Sequence, residues 1–565
     1  MHIFCKRVPF CILFLSIFSI IFFILLYPVF TANSLIFPYS FTPFDLTQEY
    51  PATWITIKKL YLIFFIFSNL IVSNLIYNYF IKDIILKKQK TAKRNSISNE
   101  FSLVIGYDTN NNLIQIPFKS LYQNILITGT IGTGKTSSAM YPFTKQLIQY
   151  KNHSPDDKIG LLILDVKGNY HKEVLKFAAD ANRLDDIIEI SLTSGICYNP
   201  LDKPHLKPSI LANRLKTILT LFSKNSSESY WLDKSEQIIL ECIKLCRLYN
   251  DNYVTFEEIH KLVTDYSYYC DKIKTLKKSF YSGKFDSAQT YDLLSSLDFF
   301  EKEFYNLDSR TSSILKSEIT RITNPFVSDY QTLKTFSPKK ENLNFHGFSE
   351  VINSGKIVVL NMNIAEYKNL SKIIAAYLKL DFQSDLIFRI SSSTASNRNI
   401  AFISDEFHEY ITTTDADFFA LSREAKCINI IATQSYTSFI NALDNESSAK
   451  VIIQNITNKL WFRTDDSFTI EDIQKQIGKE DKQKISKSIS ENSKESHYNY
   501  FTKKFNSLNA NLSETFNTYT QTDFVFDSNF FTQNLETFSC LAFLSDGNTI
   551  LKPQKLRLLP YFIKN

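Results

Sequence analysis

The stretch "NILITGTIGTGKTSSAMYPFTKQLI", beginning at Asn124, holds the densest chemistry in the chain. Gly129, Gly134, Lys135 and Thr136 satisfy the spacing GxxxxGK[ST]. A loop of this kind binds phosphate: backbone N–H groups turn inward onto the oxygens, and a Cβ would obstruct them. Three of only 12 glycines, Gly129, Gly132 and Gly134, fall here, so a chance glycine-rich turn is a poor explanation. Thr130, Thr133 and Ser137 complete the cradle. Lys135 would reach the β- and γ-phosphates and Thr136 would ligate Mg²⁺, so ATP and Mg²⁺ are the expected cofactors. "NILIT" reads as a short buried strand. The helix that follows would add the dipole of its N-terminus. Pro142 in its first turns is expected to bend it.

A phosphate loop works against a second strand that ends in acid. Two segments qualify: "KIGLLILDVKGNY" reaches Asp165, and "RNIAFISDEFHEY" reaches Asp405 and Glu406. The second is the better hydrolytic pair. Asp405 can hold the hydration shell of Mg²⁺, its contact running through water, while Glu406 takes a proton from the attacking water. Asp165 is either a ligand-facing acid at a strand's carboxyl end or a helix N-cap or turn residue. A third apolar run, "CINIIATQS", ends in Gln434, whose amide can bond a γ-phosphate or the lytic water. Arg423 precedes it in "LSREAK". It is a candidate to stabilise transition-state charge in a neighbouring subunit, with a surface salt bridge as the alternative.

The elements that must position these residues follow from pattern. Strand-rich blocks at 96–205 and 340–565 imply one α/β nucleotide-binding domain with a mostly parallel sheet covered on both faces. Between them, 206–339 lacks strand alternation, and "SEQIILECIKLCRLY" repeats apolar residues at helical spacing. This reads as an inserted all-α domain of mixed charge. "SSSTASNRN" (391–399) is a polar loop. Segment 482–520 carries Lys482, Lys484, Lys487, Lys494, Lys503 and Lys504 among Ser and Asn, with Glu491 and Glu495 interspersed. It is expected to be a mobile surface excursion. The alternative is charge offered to a nucleic-acid backbone, with Tyr498, Tyr500 and Phe501 available to stack bases.

Residues 1–95 read as a membrane domain. "FCILFLSIFSIIFFILLYPVF" (10–30) is uncharged and would form about 31 Å of helix, enough for a hydrocarbon core. A second uncharged run spans 60–81. Its Ser68, Asn69, Ser73, Asn74 and Asn78 would suit a helix–helix contact. Lys6 and Arg7 precede the first run; Lys82, Lys87, Lys88, Lys90, Lys93 and Arg94 follow the second. The positive-inside rule then puts both termini in the cytoplasm. A signal peptide is the rival reading of the first run, but its apolar core is longer than such signals need.

Composition excludes little. The 565 residues carry a formal net charge of +6, which permits an anionic partner without requiring one. Phe (48) and Tyr (30) are abundant, so a single exposed aromatic says little about binding. The 8 cysteines show no CxxC and no His at metal spacing. Cys242 and Cys246 lie four apart on one expected helix and read as buried thiols.

The order of two spans, "GTIGTGKT", "ILDVKGNY", "YNPLD" (198–202), "ISDEF" and "ATQS" resembles the type IV secretion coupling proteins, the TraG/TraD-like ATPases of conjugation machines. "YWLDKSEQIIL" (230–240) and "NLDSRTSSILKSEITRITNPF" (306–326) resemble the borders of their all-helical domain. "NKLWFRTDD" (458–466) and "SDGNTILKPQKLRLLPYF" (545–562) resemble their closing strands. Val166 departs from the proline common there and affects only the shape of a turn. The resemblance implies a RecA-like, hexameric motor on the bacterial inner membrane. It would recruit DNA, nucleoprotein or effector protein and drive it to a secretion channel with ATP. It implies nucleotide-site roles for Lys135, Thr136, Asp405, Glu406, Gln434 and Arg423. Some relatives carry a long acidic tail that docks a relaxosome protein; the resemblance does not carry that docking mode over to this chain. Two alternatives stay open: a DNA pump of the chromosome-segregation type, and a receptor that uses ATP only for assembly. An ABC-type ATPase is disfavoured, because no LSGGQ-like signature separates loop and acid pair.

Overall fold

The computed structural model describes residues 51–76, 101–165, 167–222, 229–391, 397–493, 496–507 and 510–563. The chain divides into two compact units, Met1–Glu100 and Phe101–Asn565.

In the first unit the described element is the helix Pro51–Ile76. The second expected span, 60–81, coincides with it only in part. The chain is already helical at Pro51, so Lys58 and Lys59 lie within the helix rather than flanking it. Ser68, Asn69, Ser73 and Asn74 further dilute its apolar length. Among the described residues no helix is long and apolar enough to cross a membrane, a departure from the two-span expectation. The first expected span, 10–30, lies outside the described residues.

The second unit is built on an 11-stranded sheet. Its strands are β1 (Ser102–Asp108), β2 (Leu113–Pro117), β3 (Ile125–Thr128), β4 (Gly160–Leu164), β5 (Ile187–Ile190), β6 (Ile357–Leu360), β7 (Ile400–Ser404), β8 (Cys427–Thr433) and β9 (Asn458–Phe462). After an excursion by β10 (Lys479–Ser493), β11 (Ser496–Asn499), β12 (Lys504–Ser507) and β13 (Ala510–Phe524), β14 (Ser539–Phe543) and β15 (Gln554–Arg557) complete it. The spatial order is β2-β1-β15-β14-β9-β3-β8-β7-β4-β6-β5. From β9 to β5 the pairing is parallel throughout; the β14, β15, β1 and β2 side is antiparallel.

Every residue of β3, β4, β6, β7 and β8 is buried, as strands covered on both faces must be. Their alternation sorts side chains into two cores. Ile125, Ile127, Leu161, Ile163, Ala401 and Ile403 pack with Met140, Phe143 and Leu147 of the helix after the phosphate loop. Leu126, Leu162, Leu164, Ile400 and Phe402 share the other core with Ile239, Cys242, Phe256 and Phe326.

Those last residues belong to helices. The described residues between 206 and 339 form Pro208–Phe222, Ser229–Tyr249, Phe256–Thr264, Tyr266–Tyr281, Ser287–Asp298, Ser309–Val327 and Tyr330–Phe336, with only short helical turns besides. Thr255, Asp265, Asp286, Asp308 and Asp329 cap five of them by accepting backbone N–H bonds. Phe256 and Phe326 stack with centroids 3.9 Å apart. Because this cluster is continuous with one sheet core, the helices are packed into the second unit rather than held apart from it.

The described residues of segment 482–520 lie mostly in paired strands. β10 and β13 pair antiparallel over 15 residues each, from Lys479↔Phe524 to Ser493↔Ala510. Such a ribbon is about 50 Å long.

Candidate functional site

The phosphate loop connects β3 to a helix. Parallel neighbours β8 and β9 flank β3, and the loop is tied to the tips of both. Gly129 N–H donates to the Gln434 carbonyl at 3.1 Å, and Thr130 N–H donates to the Arg463 carbonyl at 2.9 Å. Gly134 takes φ +91°, and a Cβ there would collide with the Phe538 ring, so glycine is required on two counts. At Gly129 a Cβ would lie 2.6 Å from Cβ of Phe462. The helix opens with a wide π-turn, Thr136–Met140, before becoming α-helical over Tyr141–Gln149. Pro142 explains this. Its ring and missing N–H break a regular i→i−4 ladder, so the expected bend is expressed as a local widening.

Lys135 is buried and donates to the carbonyls of Gly129 at 2.5 Å and Thr130 at 3.2 Å. Burial lowers its pKa, and the nearby Glu406 and Asp405 oppose that shift. The Thr136 hydroxyl donates to Asp405 Oδ2 at 2.9 Å. The loop at the tip of β3 and the acid at the tip of β7 therefore meet.

Asp405 is fully buried, and desolvation raises its pKa; Lys167 pulls in the other direction. Glu406 follows with φ +48°, a left-handed conformation unusual outside glycine, asparagine and aspartate. It accepts a bond from the Lys167 ammonium, and Gln434 Nε2 donates to its other oxygen at 3.5 Å. Burial pushes Glu406 up, but the hydrogen bond and charge of Lys167 outweigh this and hold it below the ordinary range. His408 Nδ1 lies 3.6 Å from Glu406 Oε2 and 3.2 Å from Thr433 Oγ1. Burial lowers the His408 pKa, which favours the neutral imidazole.

Asp165 braces the turn that leads into a helix whose N-cap is Asn169. Its carboxylate accepts from the backbone N–H groups of Lys167 at 2.9 Å and of Asn169 and Tyr170 at 3.2 Å, at the start of the helix Tyr170–Asp180. Arg423 is exposed in the turn before β8. Gln434 follows that strand's other end, so Arg423 is separated from its own chain's phosphate loop by the length of β8, about 23 Å.

Sequence reasoning missed Lys167 and His408. The available signal for Lys167 was a basic residue two positions past an acid at a strand tip. Among the described residues no group of three or more His, Cys, Asp or Glu forms a metal cage. The chemistry of the Thr136–Asp405 pair fits Mg²⁺, which is usually held by one or two protein oxygens, phosphates and waters.

A family model described as "TraM recognition site of TraD and TraG" matches residues 399–513. Solved structures of the bacterial conjugative coupling protein TrwB share the fold. Unbound TrwBΔN70 superposes with a TM-score of 0.55 at 12% identity, covering 81% of this chain and 89% of that one. Over residues 399–513 the chain is similar to TraD and TraG. TrwB with the GTP analogue GDPNP gives a TM-score of 0.54 at 12% identity, covering 82% and 96%. TrwB with ADP and Mg²⁺ gives 0.54 at 12% identity, covering 80% and 89%. At such identity these likenesses establish the fold. No curated protein matches by sequence. The matched segment carries Asp405, Glu406, Arg423 and Gln434, while the phosphate loop lies outside it.

Proposed function

We propose that this protein is a P-loop ATPase acting as the coupling protein of a type IV secretion or conjugation system. The observation that carries the reading is the Thr136–Asp405 bond beside Glu406, which joins the loop hydroxyl suited to Mg²⁺ to an acid pair from a distant strand. TrwB structures with nucleotides and Mg²⁺ support it through the shared fold. Gly129–Ser137 would cradle the phosphates, with Lys135 on the β- and γ-phosphates. Thr136 and Asp405 would hold Mg²⁺, Asp405 through water. Glu406 would accept the proton of the attacking water, and Gln434 would orient that water. Arg423, so far from its own loop, would act only on a neighbouring subunit's nucleotide, which calls for a ring, most simply a homohexamer. Residues 96–205 and 340–565 would form the nucleotide-binding part and 206–339 the substrate-facing helical part. Residues 1–95 would anchor the protein in the inner membrane, both termini cytoplasmic. The cargo would be DNA, nucleoprotein or secreted protein.

A second reading, ATP used only for assembly, is favoured by the ion pair that occupies Glu406 with Lys167. ATP hydrolysis by full-length protein, with and without DNA across a salt series, separates the two. DNA-stimulated turnover that fades with salt supports a DNA-coupling motor. ATP binding without turnover, even with DNA, supports the assembly reading.

A further inference from the structure

The chain's last described segment, 558–563, folds back onto the phosphate loop. Phe538 N–H donates to the Thr133 carbonyl at 3.1 Å, Leu558 N–H to the Phe538 carbonyl at 2.8 Å, and Tyr561 N–H to the Ser137 carbonyl at 2.9 Å. These bonds bring three aromatic rings to one side of the loop. The Phe538 ring lies on Gly134, delivered there by a left-handed backbone (φ +64°). Phe562 meets Phe538 at 6.1 Å and Tyr561 at 5.6 Å, both edge-to-face. Tyr561 packs against Tyr141, at the end of the π-turn, at 5.0 Å. Phe562 is 59% exposed.

An exposed phenyl ring held by backbone bonds, with a second ring behind it, is poor core material and a good stacking surface. Gly134 and Ser137 are the end of the loop from which the sugar and base of a bound nucleotide would extend. The Phe538 and Phe562 rings carry no hydrogen-bonding group, so recognition by them would act on the π-face of a base rather than on its hydrogen-bonding edge.

We propose that Phe562, backed by Phe538 and positioned by the Tyr561–Ser137 bond, is the stacking surface for the nucleotide base. The proposal rests on the reading that Gly129–Ser137 holds a nucleoside triphosphate. It assigns base binding to residues more than 400 positions from the loop. A π-face contact predicts that ATP and GTP bind within a few-fold of each other.

The test is calorimetric titration of full-length protein with Mg²⁺–ATP, Mg²⁺–GTP and Mg²⁺–tripolyphosphate, which has no base. Phe562→Ala should weaken ATP and GTP about tenfold or more, in line with base–aromatic stacking. It should leave tripolyphosphate within about twofold, and Phe562→Trp should restore nucleotide affinity. Unchanged ATP affinity in Phe562→Ala would overturn the proposal. So would an equal loss for ATP and tripolyphosphate, which would mean the ring only props the loop. Lys135→Ala should weaken all three ligands. If it weakens none, or if the wild type binds none, the phosphate-loop reading itself falls.

Discussion

Glu406 must be ionised to act as a base and accessible to water, and Lys167 bears on both. Its ammonium keeps the carboxylate below its usual pKa, so the basic form should persist into mildly acidic solution. Replacing Lys167 by Met removes that support and leaves desolvation. The acid limb of the ATPase pH profile should therefore move to higher pH, as a pH series of kcat would show; an unmoved limb would mean Lys167 does not hold Glu406 in the working state. Glu406→Gln should still bind ATP while turnover falls about 10²- to 10⁴-fold. The glycines, Lys135, Thr136 and the acid pair were legible because fixed spacing encodes their local geometry. Lys167 and His408 were not. Lys167 reaches Glu406 because β4 and β7 are neighbours, and His408 reaches Thr433 because β7 and β8 are; spacing along a chain does not encode which strands pair. Asp165 stayed ambiguous for a related reason, since a cap or turn residue and a ligand-facing acid occupy the same strand tip.

At the scale of elements, the helix Asn369–Ser391 links the acid-bearing loop to the inserted helices. Lys379 donates to the Tyr410 carbonyl at 2.7 Å and to Asp415 at 2.6 Å. Two residues on, Asp381 accepts from Arg214 at 3.0 Å and from the Tyr198 hydroxyl at 2.5 Å, and pairs with Lys203 at 3.0 Å. These groups are buried, so Asp381→Asn removes the carboxylate partner of Arg214 and leaves Lys203 only Asp385, at 3.5 Å. It should destabilise the protein by about 3–5 kcal/mol in chemical denaturation, and a loss under 1 kcal/mol would contradict this account. The β10–β13 ribbon should behave oppositely. None of its described residues within 479–524 belongs to either core. Replacing 483–520 by a two-residue turn should leave the melting temperature within a few degrees. The all-α character of 206–339 was legible from helical periodicity. The ribbon was not, because Ser, Thr, Asn and Lys alternate with only a few apolar residues and both faces read as polar. Its lysines are also less available than the sequence suggested: Lys484 pairs with Asp523 at 2.5 Å and Lys487 with Glu514 at 2.9 Å. That weakens the case for a simple backbone-binding patch.

At the scale of the molecule, the proposed role of Arg423 toward a neighbouring subunit's nucleotide would make assembly a condition of catalysis. Arg423→Ala and Lys135→Ala should each lose turnover. Mixing the two should restore part of it, because an intact Arg423 on one subunit can serve an intact Lys135 on the next. Failure of the mixture to recover would place the finger elsewhere. The parallel sheet and its central phosphate loop were readable from alternating buried strands and helices. The antiparallel side was not, because it is closed by β14 and β15 from the far end of the sequence. The most direct test of the central claim is steady-state Mg²⁺–ATP hydrolysis by full-length protein, beside Lys135→Ala and Glu406→Gln. The account predicts turnover in the wild type, loss of binding and turnover in the first variant, and loss of turnover with binding retained in the second. Wild-type hydrolysis rates in both variants would contradict it.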